Sequence, residues 1–482
     1  MGDNLKGKTV SGIIWIGIER ASAILIQFII GIILARILAP SDFGLIGMIA
    51  IFMAISDTIV ESGFANALIQ KKDVSPLDYS TALIFNASLG VGLYVILYVS
   101  SPYIADFYNL PILNDIIRVY TLIVVINSLI VAQLAKLSID LKFRTQSIIT
   151  ITTSLVSGVL GIVLAYSGFG VWALVFQSLS GAFLRLIFIT IVAKMNFRIR
   201  FSRESFAALW SFGSKILCSG MINTIYNNLY TLVIGKAYNP LQVGYYNRAE
   251  QFGRLPSNTL TSIIIRVIFP ILSKIQDDNE RLAATYAKFI KLIMFLLAPI
   301  MSAMFVMSKQ IILVTVGEQW IECVPLLQVL CGCYLFDALT HLNLNLLYVK
   351  GRTDLVLRLE FMKKPIGFIL LIISIPFGVL FMCIGRTIYS IIAFCFNCMY
   401  TKKILNIGLW KQLKYVVPII IRSTITGLIV YLVIQGLGLS PLWELLVGCT
   451  LGAFLYLGLS LTMRDESLYS MKEVICNMRN TY

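Results

Sequence analysis

Apolar runs of about 20 residues recur along the whole chain, each long enough to cross a hydrocarbon core of about 30 Å as a helix. Fourteen can be marked, at roughly 11–36, 43–68, 80–101, 116–137, 146–167, 171–193, 207–235, 245–272, 284–307, 323–348, 357–377, 379–400, 413–436 and 442–463. In a bilayer every backbone N–H and C=O must be bonded internally, which leaves only helices and closed barrels, and runs this long and continuous give helices. The expectation is an all-α integral membrane protein of about 14 transmembrane helices. Composition agrees, with 58% of the 482 residues hydrophobic and 13% charged, against roughly 45–50% and about 25% in soluble domains. A soluble enzyme, a secreted disulfide scaffold and a nucleic-acid-binding domain are excluded. The region 13–38 is too long for the apolar part of a cleavable signal, so the first span is expected to stay in the mature protein.

The net charge of +15 would point to nucleic acid on a soluble protein. Here it has another cause, because Lys and Arg gather in alternate loops, as the positive-inside rule requires. Lys6 and Lys8 precede the first span, Lys71 and Lys72 follow the second, and Lys136, Lys142 and Arg144 follow the fourth. Lys194, Arg198, Arg200 and Arg203, then Lys274, Arg281, Lys288 and Lys291, then Lys350 and Arg352, and finally Lys402, Lys403, Lys411 and Lys414 fall on the same side. The other side holds only Arg36, Arg118, Lys236, Arg248 and Lys309 near span ends. Both termini are therefore expected in the cytoplasm, with an even number of spans. Cys218, Cys331, Cys333, Cys383 and Cys449 lie inside apolar runs and read as small hydrophobes. Cys395 and Cys398 form a CxxC without a second pair, so no metal site is expected.

The turn after the first span returns later in the chain. Arg36, Pro40, Gly44 and Phe52 recur as Lys236, Pro240, Gly244 and Phe252, an offset of 200 throughout, and Gln27 meets Asn227 at the same spacing. Chance agreement of turn residues is the alternative, but an interval of six spans is where a duplication would place the match. Six is even, so the halves would be parallel repeats about an axis along the membrane normal, an organisation met in secondary transporters. The division expected is an N-lobe at 1–200 (spans 1–6), a C-lobe at 201–405 (spans 7–12), and spans 13–14 with a cytoplasmic tail at 406–482. The two six-helix lobes would be pseudo-symmetric around a central cavity.

Ionisable groups within spans are costly and by default face a wet cavity or one another. The candidates are Glu19, Arg20, Asp57, Glu61, Arg185, Lys215, Arg248, Glu250, Arg254, Arg266, Asp337, His341, Glu360, Lys363, Lys364, Arg386 and Arg422. Basic residues predominate, which suits an anionic substrate, because guanidinium groups make multidentate contacts to phosphate oxygens. Span 8, running from Tyr245 to Asn258 as YYNRAEQFGRLPSN, is too polar to face lipid along its length. Arg20, Lys215, Arg248, Arg254 and Arg266 are the candidates for a cationic cavity, although Arg248 can also snorkel to the interface. Asp57 and Glu61 share a helical face at i,i+4 and can hold a coupling cation or proton, or can pair with a basic residue of another span. Asp337 and His341, the only histidine, have the same spacing and offer a proton relay, against a histidine satisfied by packing. Glu360 and Lys364 read as mutual compensation. Residues 2–9, GDNLKGKT, fit the Walker A pattern but run straight into a span without the α/β domain a P-loop needs. Direct use of ATP is not expected, and neither is any cofactor. Position 6 is Lys, which excludes a myristoylation signal.

The stretches LARILAPSDFGLIGM (34–48), SGFANALIQKKD (62–73), FGSKILCSG (212–220), NLYTLVIGKAYNPLQVGYYNRAEQFGRLPS (228–257), LSKIQDDNERL (272–282) and NLNLLYVKGRTDL (343–355) occur in order along most of the chain. As a set they resemble the Wzx-type polysaccharide flippases of the multidrug/oligosaccharidyl-lipid/polysaccharide exporter superfamily. The resemblance implies alternating access and movement of an undecaprenyl-diphosphate-linked oligosaccharide across the bacterial inner membrane, for O-antigen, capsule or exopolysaccharide assembly. Related peptidoglycan-precursor flippases look similar in span 8, where a basic residue follows a Tyr-Tyr pair; Arg248 occupies that place and would meet the diphosphate. On this reading Asn223, Tyr226, Asn227 and Tyr230 meet sugar hydroxyls, a cation (H+ or Na+) couples the cycle, and polysaccharide-assembly machinery is a possible partner. A cation-coupled multidrug exporter of the same superfamily would want a cavity dominated by carboxylates. A membrane polymerase or ligase would want a long outer loop, and the longest here has only about 15 residues.

Overall fold

The computed structural model describes residues 2–61, 63–71, 73–194 and 200–463, with side chains at all of these but 2–14, 16–18, 20, 21, 212, 215, 216 and 219. The described chain is helical almost throughout and contains no strand. It divides into two compact units, Met1–Gly244 and Tyr245–Tyr482. Eleven stretches among the described residues are long and apolar enough to cross a membrane. The protein is an all-α integral membrane protein.

The first unit contains α1 (Gly2–Ile37), α2 (Pro40–Glu61), α3 (Phe64–Gln70), α4 (Pro76–Tyr108), α5 (Ile112–Tyr120), α6 (Leu122–Ile139), α7 (Phe143–Tyr166), α8 (Val171–Ala193), α9 (Arg203–Ala237) and the first turn of α10 (Pro240–Lys274). α1 packs along α7, α7 along α8, and α6 lies against α4 and α8, while α9 packs on α2, α3 and α4. Local chemistry sets the helix starts. Pro40 and Pro240 each open a helix, where a proline has no N–H to lose. The Asp42 carboxylate accepts from the Ala39 N–H, and the Asn239 side chain accepts from the Gln242 N–H. α4 begins with a full capping box. Ser75 Oγ accepts from the Asp78 N–H, the Asp78 carboxylate accepts from the Ser75 N–H, and Pro76 takes the first helical position.

Two features place the site. Near the start of α9, Phe64, Phe85, Phe206 and Trp210 form an aromatic cluster with centroids 4.8 Å (Phe64–Phe85) and 4.9 Å (Phe85–Phe206) apart, tying α9 to α3 and α4. At its far end Lys236 donates to the Phe107 carbonyl and stands 4.5 Å from the Phe107 ring centroid. There the Pro40 and Pro240 turns cross with backbone against backbone. The sequence reads 43–68 as one span, but the helix breaks after Glu61, because Gly63 takes a left-handed φ of 71° before α3 begins.

The second unit holds α11 (Asn279–Val306), α12 (Ser308–Thr315), α13 (Cys323–Val349), α14 (Thr353–Ser374), α15 (Val379–Leu405), α16 (Leu409–Leu437) and α17 (Pro441–Thr462), with the rest of α10. α13 packs on α15, α11 on α16, and α16 on α17. The polar groups are on the inside. Tyr286 donates to Asn343, and Gln412 Nε2 donates to Asn343 Oδ1 and to Thr401 Oγ1, both at 3.0 Å, so one buried network joins α11, α13, α15 and α16. Apolar side chains such as Leu428, Leu432 and Phe454 stay exposed, as a lipid-facing surface allows. The connection between the spans marked at 284–307 and 323–348 contains α12 and a short 3-10 turn at Glu318–Trp320.

Candidate functional site

The break after α2 opens a polar cavity of about 520 Å³ in the first unit, between α2, α3, α6 and α9. Irregular backbone at membrane depth is tolerated where it lines such a space. Gly63 is part of the lining, together with Glu61, Asn66, Asn223 and Asn227. These four side chains are exposed to the cavity and have no hydrogen-bond or ion-pair partner among the described residues. One wall is drawn together by a bond of 2.9 Å between the hydroxyls of Thr58 and Thr224. Both threonines line the cavity. In an apolar membrane, carboxamides left unspent in this way need water or a ligand as partner.

The cavity brings together residues that the sequence had assigned to different roles. Glu61 is a coupling candidate on its chemistry, while Asn223 and Asn227 are expected to meet sugar hydroxyls on the flippase resemblance. Tyr226 and Tyr230 are on the same helix but are not among the lining residues; Tyr226 is half-buried and Tyr230 buried. Asp57 lies one turn before Glu61 and accepts from Asn127 Nδ2 at 3.3 Å. Behind them Arg185 on α8 is within electrostatic reach of both Glu61 and Glu19. Glu19 itself accepts from Ser147 at 3.2 Å and from Thr150 at 3.1 Å. The side chains of Arg20 and Lys215 lie outside the described residues.

The remaining candidates belong to the second unit. Arg248 is buried, donates to Gln251 at 2.9 Å and lies over the Trp320 ring at 5.0 Å. Arg254 and Arg266 are exposed. Asp337 accepts from Ser390 at 2.7 Å; His341, one turn on, is exposed, and no hydrogen bond joins the two. Glu360 pairs with Lys364 at 3.5 Å and more closely with the buried Lys363, at 3.0 Å. The tightest polar constellation here is one the sequence did not assemble. Arg386 donates to Glu250 at 2.9 Å, to Tyr334 at 3.1 Å and to Tyr246, while Tyr334 donates to the same Glu250 oxygen at 3.0 Å. Tyr246 and Glu250 are one turn apart on α10, a spacing that could have flagged the pair. Thr58 and Asn66 were also missed, since a lone hydroxyl or amide in an apolar run carries little signal. No group of three metal-capable side chains occurs among the described residues.

Comparisons with known proteins fit this architecture. Residues 33–325 match the family model described as "Polysaccharide biosynthesis protein". The lipopolysaccharide biosynthesis protein WzxC of Escherichia coli (strain K12) is 28% identical over 366 residues, covering 75% of this chain and 74% of its own. The teichuronic acid biosynthesis protein TuaB of Bacillus subtilis (strain 168) is 27% identical over 351 residues, covering 72% of each. Among solved structures, the lipid II flippase MurJ in an inward closed conformation superposes with a TM-score of 0.74 at 15% identity, over 95% of this chain and 99% of that one. At that identity the likeness is one of fold.

Proposed function

The chain belongs to the polysaccharide biosynthesis protein family, and from that premise we propose that it is a flippase that moves an undecaprenyl-diphosphate-linked oligosaccharide across the bacterial inner membrane. The work is transport, with no covalent chemistry. The observation that carries the reading is the polar cavity of the first unit, where Asn66, Asn223 and Asn227 present unspent amides between apolar helices. Amides can donate to and accept from sugar hydroxyls at once, as a head group stripped of water needs. The basic surplus of the chain supplies partners for the diphosphate, with exposed Arg254 and Arg266 as first candidates.

The cycle proposed is alternating access between lobes 1–200 and 201–405, coupled to H+ or Na+ with Glu61 and Asp57 as the carboxylates involved. Both termini are placed in the cytoplasm on the loop charges.

Deletion of the gene in its host, followed by mass spectrometry of extracted lipids, tests the reading. Accumulation of one undecaprenyl-diphosphate oligosaccharide, reversed by the intact gene, is expected. An unchanged lipid profile together with new sensitivity to cationic drugs would favour a multidrug exporter instead.

A further inference from the structure

Resting on the flippase reading, we propose that the cavity beside Glu61 is a subsite for an uncharged sugar bearing hydroxyl or N-acetyl groups, and that it discriminates against a sugar carboxylate. The argument starts from what lines it. Among its described lining residues the cavity has one charge, the Glu61 carboxylate, and no cation. Its other polar groups are the amides of Asn66, Asn223 and Asn227 and the hydroxyls of Thr58 and Thr224. The threonine hydroxyls are spent on each other, and Thr58 also donates to the Ala54 carbonyl at 2.7 Å. The amides and the carboxylate are left for a ligand.

Size and chemistry agree. A space of about 520 Å³ falls within the range of about 300–1,000 Å³ typical of small-molecule sites. At about 30 Å³ per water it holds roughly 17 waters, or a mono- or disaccharide in their place. Three amides offer both donors and acceptors, matching a ring of hydroxyls and the amide of an N-acetyl group. The Glu61 carboxylate only accepts, so it fits a hydroxyl or an N–H and repels a uronic acid. Asp57 stands one turn before Glu61 on the same helix and puts a second carboxylate behind this wall, with Arg185 also within electrostatic reach. A diphosphate is excluded from this subsite on the same ground, so the phosphates must be held by the basic residues elsewhere.

The test uses the full-length protein in lipid nanodiscs and two synthetic polyprenyl-diphosphate disaccharides, identical except that one carries an N-acetylhexosamine where the other carries a hexuronic acid. The wild-type protein is expected to bind the neutral compound more tightly by about tenfold or more. Glu61→Gln should shrink that ratio, and Asn66→Asp should enlarge it. The second variant keeps the test open if the first fails to fold. Equal affinities for the two compounds, or a ratio that neither substitution moves, would overturn the subsite and leave the flippase reading intact. Failure of both compounds to bind wild-type protein that unfolds cooperatively on heating would overturn the flippase reading and the subsite with it.

Discussion

Gly44 and Gly244 each sit against the proline that opens the other's helix. A Cβ built on Gly44 would stand 1.7 Å from the Pro240 carbonyl oxygen, and one on Gly244 would stand 2.1 Å from that of Pro40. These are the positions that repeat at an interval of 200 in the sequence, so the repeat is also a contact. Close by, Met48 is buried beneath Gly235 and Tyr108, whose hydroxyl donates to the Met48 carbonyl at 3.3 Å. Backbone has replaced side chain at the crossing, and no rotamer change can relieve an added methyl.

Gly44→Ala and Gly244→Ala are therefore expected to force the two turns apart, at a cost in the range of about 1–3 kcal/mol found for overpacking. Met48→Cys, unreactive toward a membrane-impermeant maleimide in the parent, should become reactive when either alanine is added, and surface glycan should fall. Unchanged labelling with normal glycan would show that the crossing is not tight.

Substitution of the cavity amides should weaken binding step by step. A hydrogen bond contributes a net of about 0.5–1.5 kcal/mol, so Asn223→Ala or Asn227→Ala alone should lower affinity for the lipid-linked oligosaccharide by about 2- to 13-fold. The double variant should approach the product of the two. Thermal unfolding should stay near wild type, because neither amide bonds to a described part of the protein. Loss of stability without loss of affinity would assign these residues to packing.

The pair Glu250–Arg386 should behave differently. Its side chains are only 15% and 18% exposed. Removing one partner leaves the other charge stranded, a loss of up to about 3–5 kcal/mol, whereas removing both can be nearly neutral. Arg386→Met and Glu250→Gln are each expected to lower the unfolding temperature in detergent, and the combined variant to recover most of the loss. Additive losses would argue that the two groups act independently.

Much of this was legible in the sequence, for reasons that can be named. A bilayer imposes length and apolarity on every span, so α7, α8 and α17 could be placed within a few residues. The break between α2 and α3 was not legible, since Gly63 in an apolar run reads as well for a packed helix as for a left-handed turn. Asn223 and Asn227 could be named through the flippase resemblance, which asks for groups to meet sugar hydroxyls, and both line the cavity. Asn66 could not, because its place beside them depends on that break. The Arg386–Glu250 contact joins residues 136 apart in the chain, a distance over which helical periodicity carries no information.

Capping at the start of α4 gives a prediction on stability alone. The Asp78 carboxylate accepts from the Ser75 N–H at 2.9 Å, the Ser75 hydroxyl at 2.9 Å and Lys71 at 2.7 Å. Ser75→Ala should cost about 0.5–2 kcal/mol, the range for a lost N-cap, and Asp78→Ala more, since it also strips Lys71 of its partner. Equal unfolding temperatures for the two variants would contradict this ranking.

The central claim is that the protein itself moves the lipid-linked oligosaccharide between leaflets. Purified protein reconstituted in unilamellar vesicles with that lipid, followed by addition of an impermeant glycosidase, measures this directly. The account predicts digestion that runs past the outer-leaflet pool to completion, and that slows in the Asn223→Ala/Asn227→Ala variant. Digestion that halts at the outer-leaflet pool, as in protein-free vesicles, would contradict it.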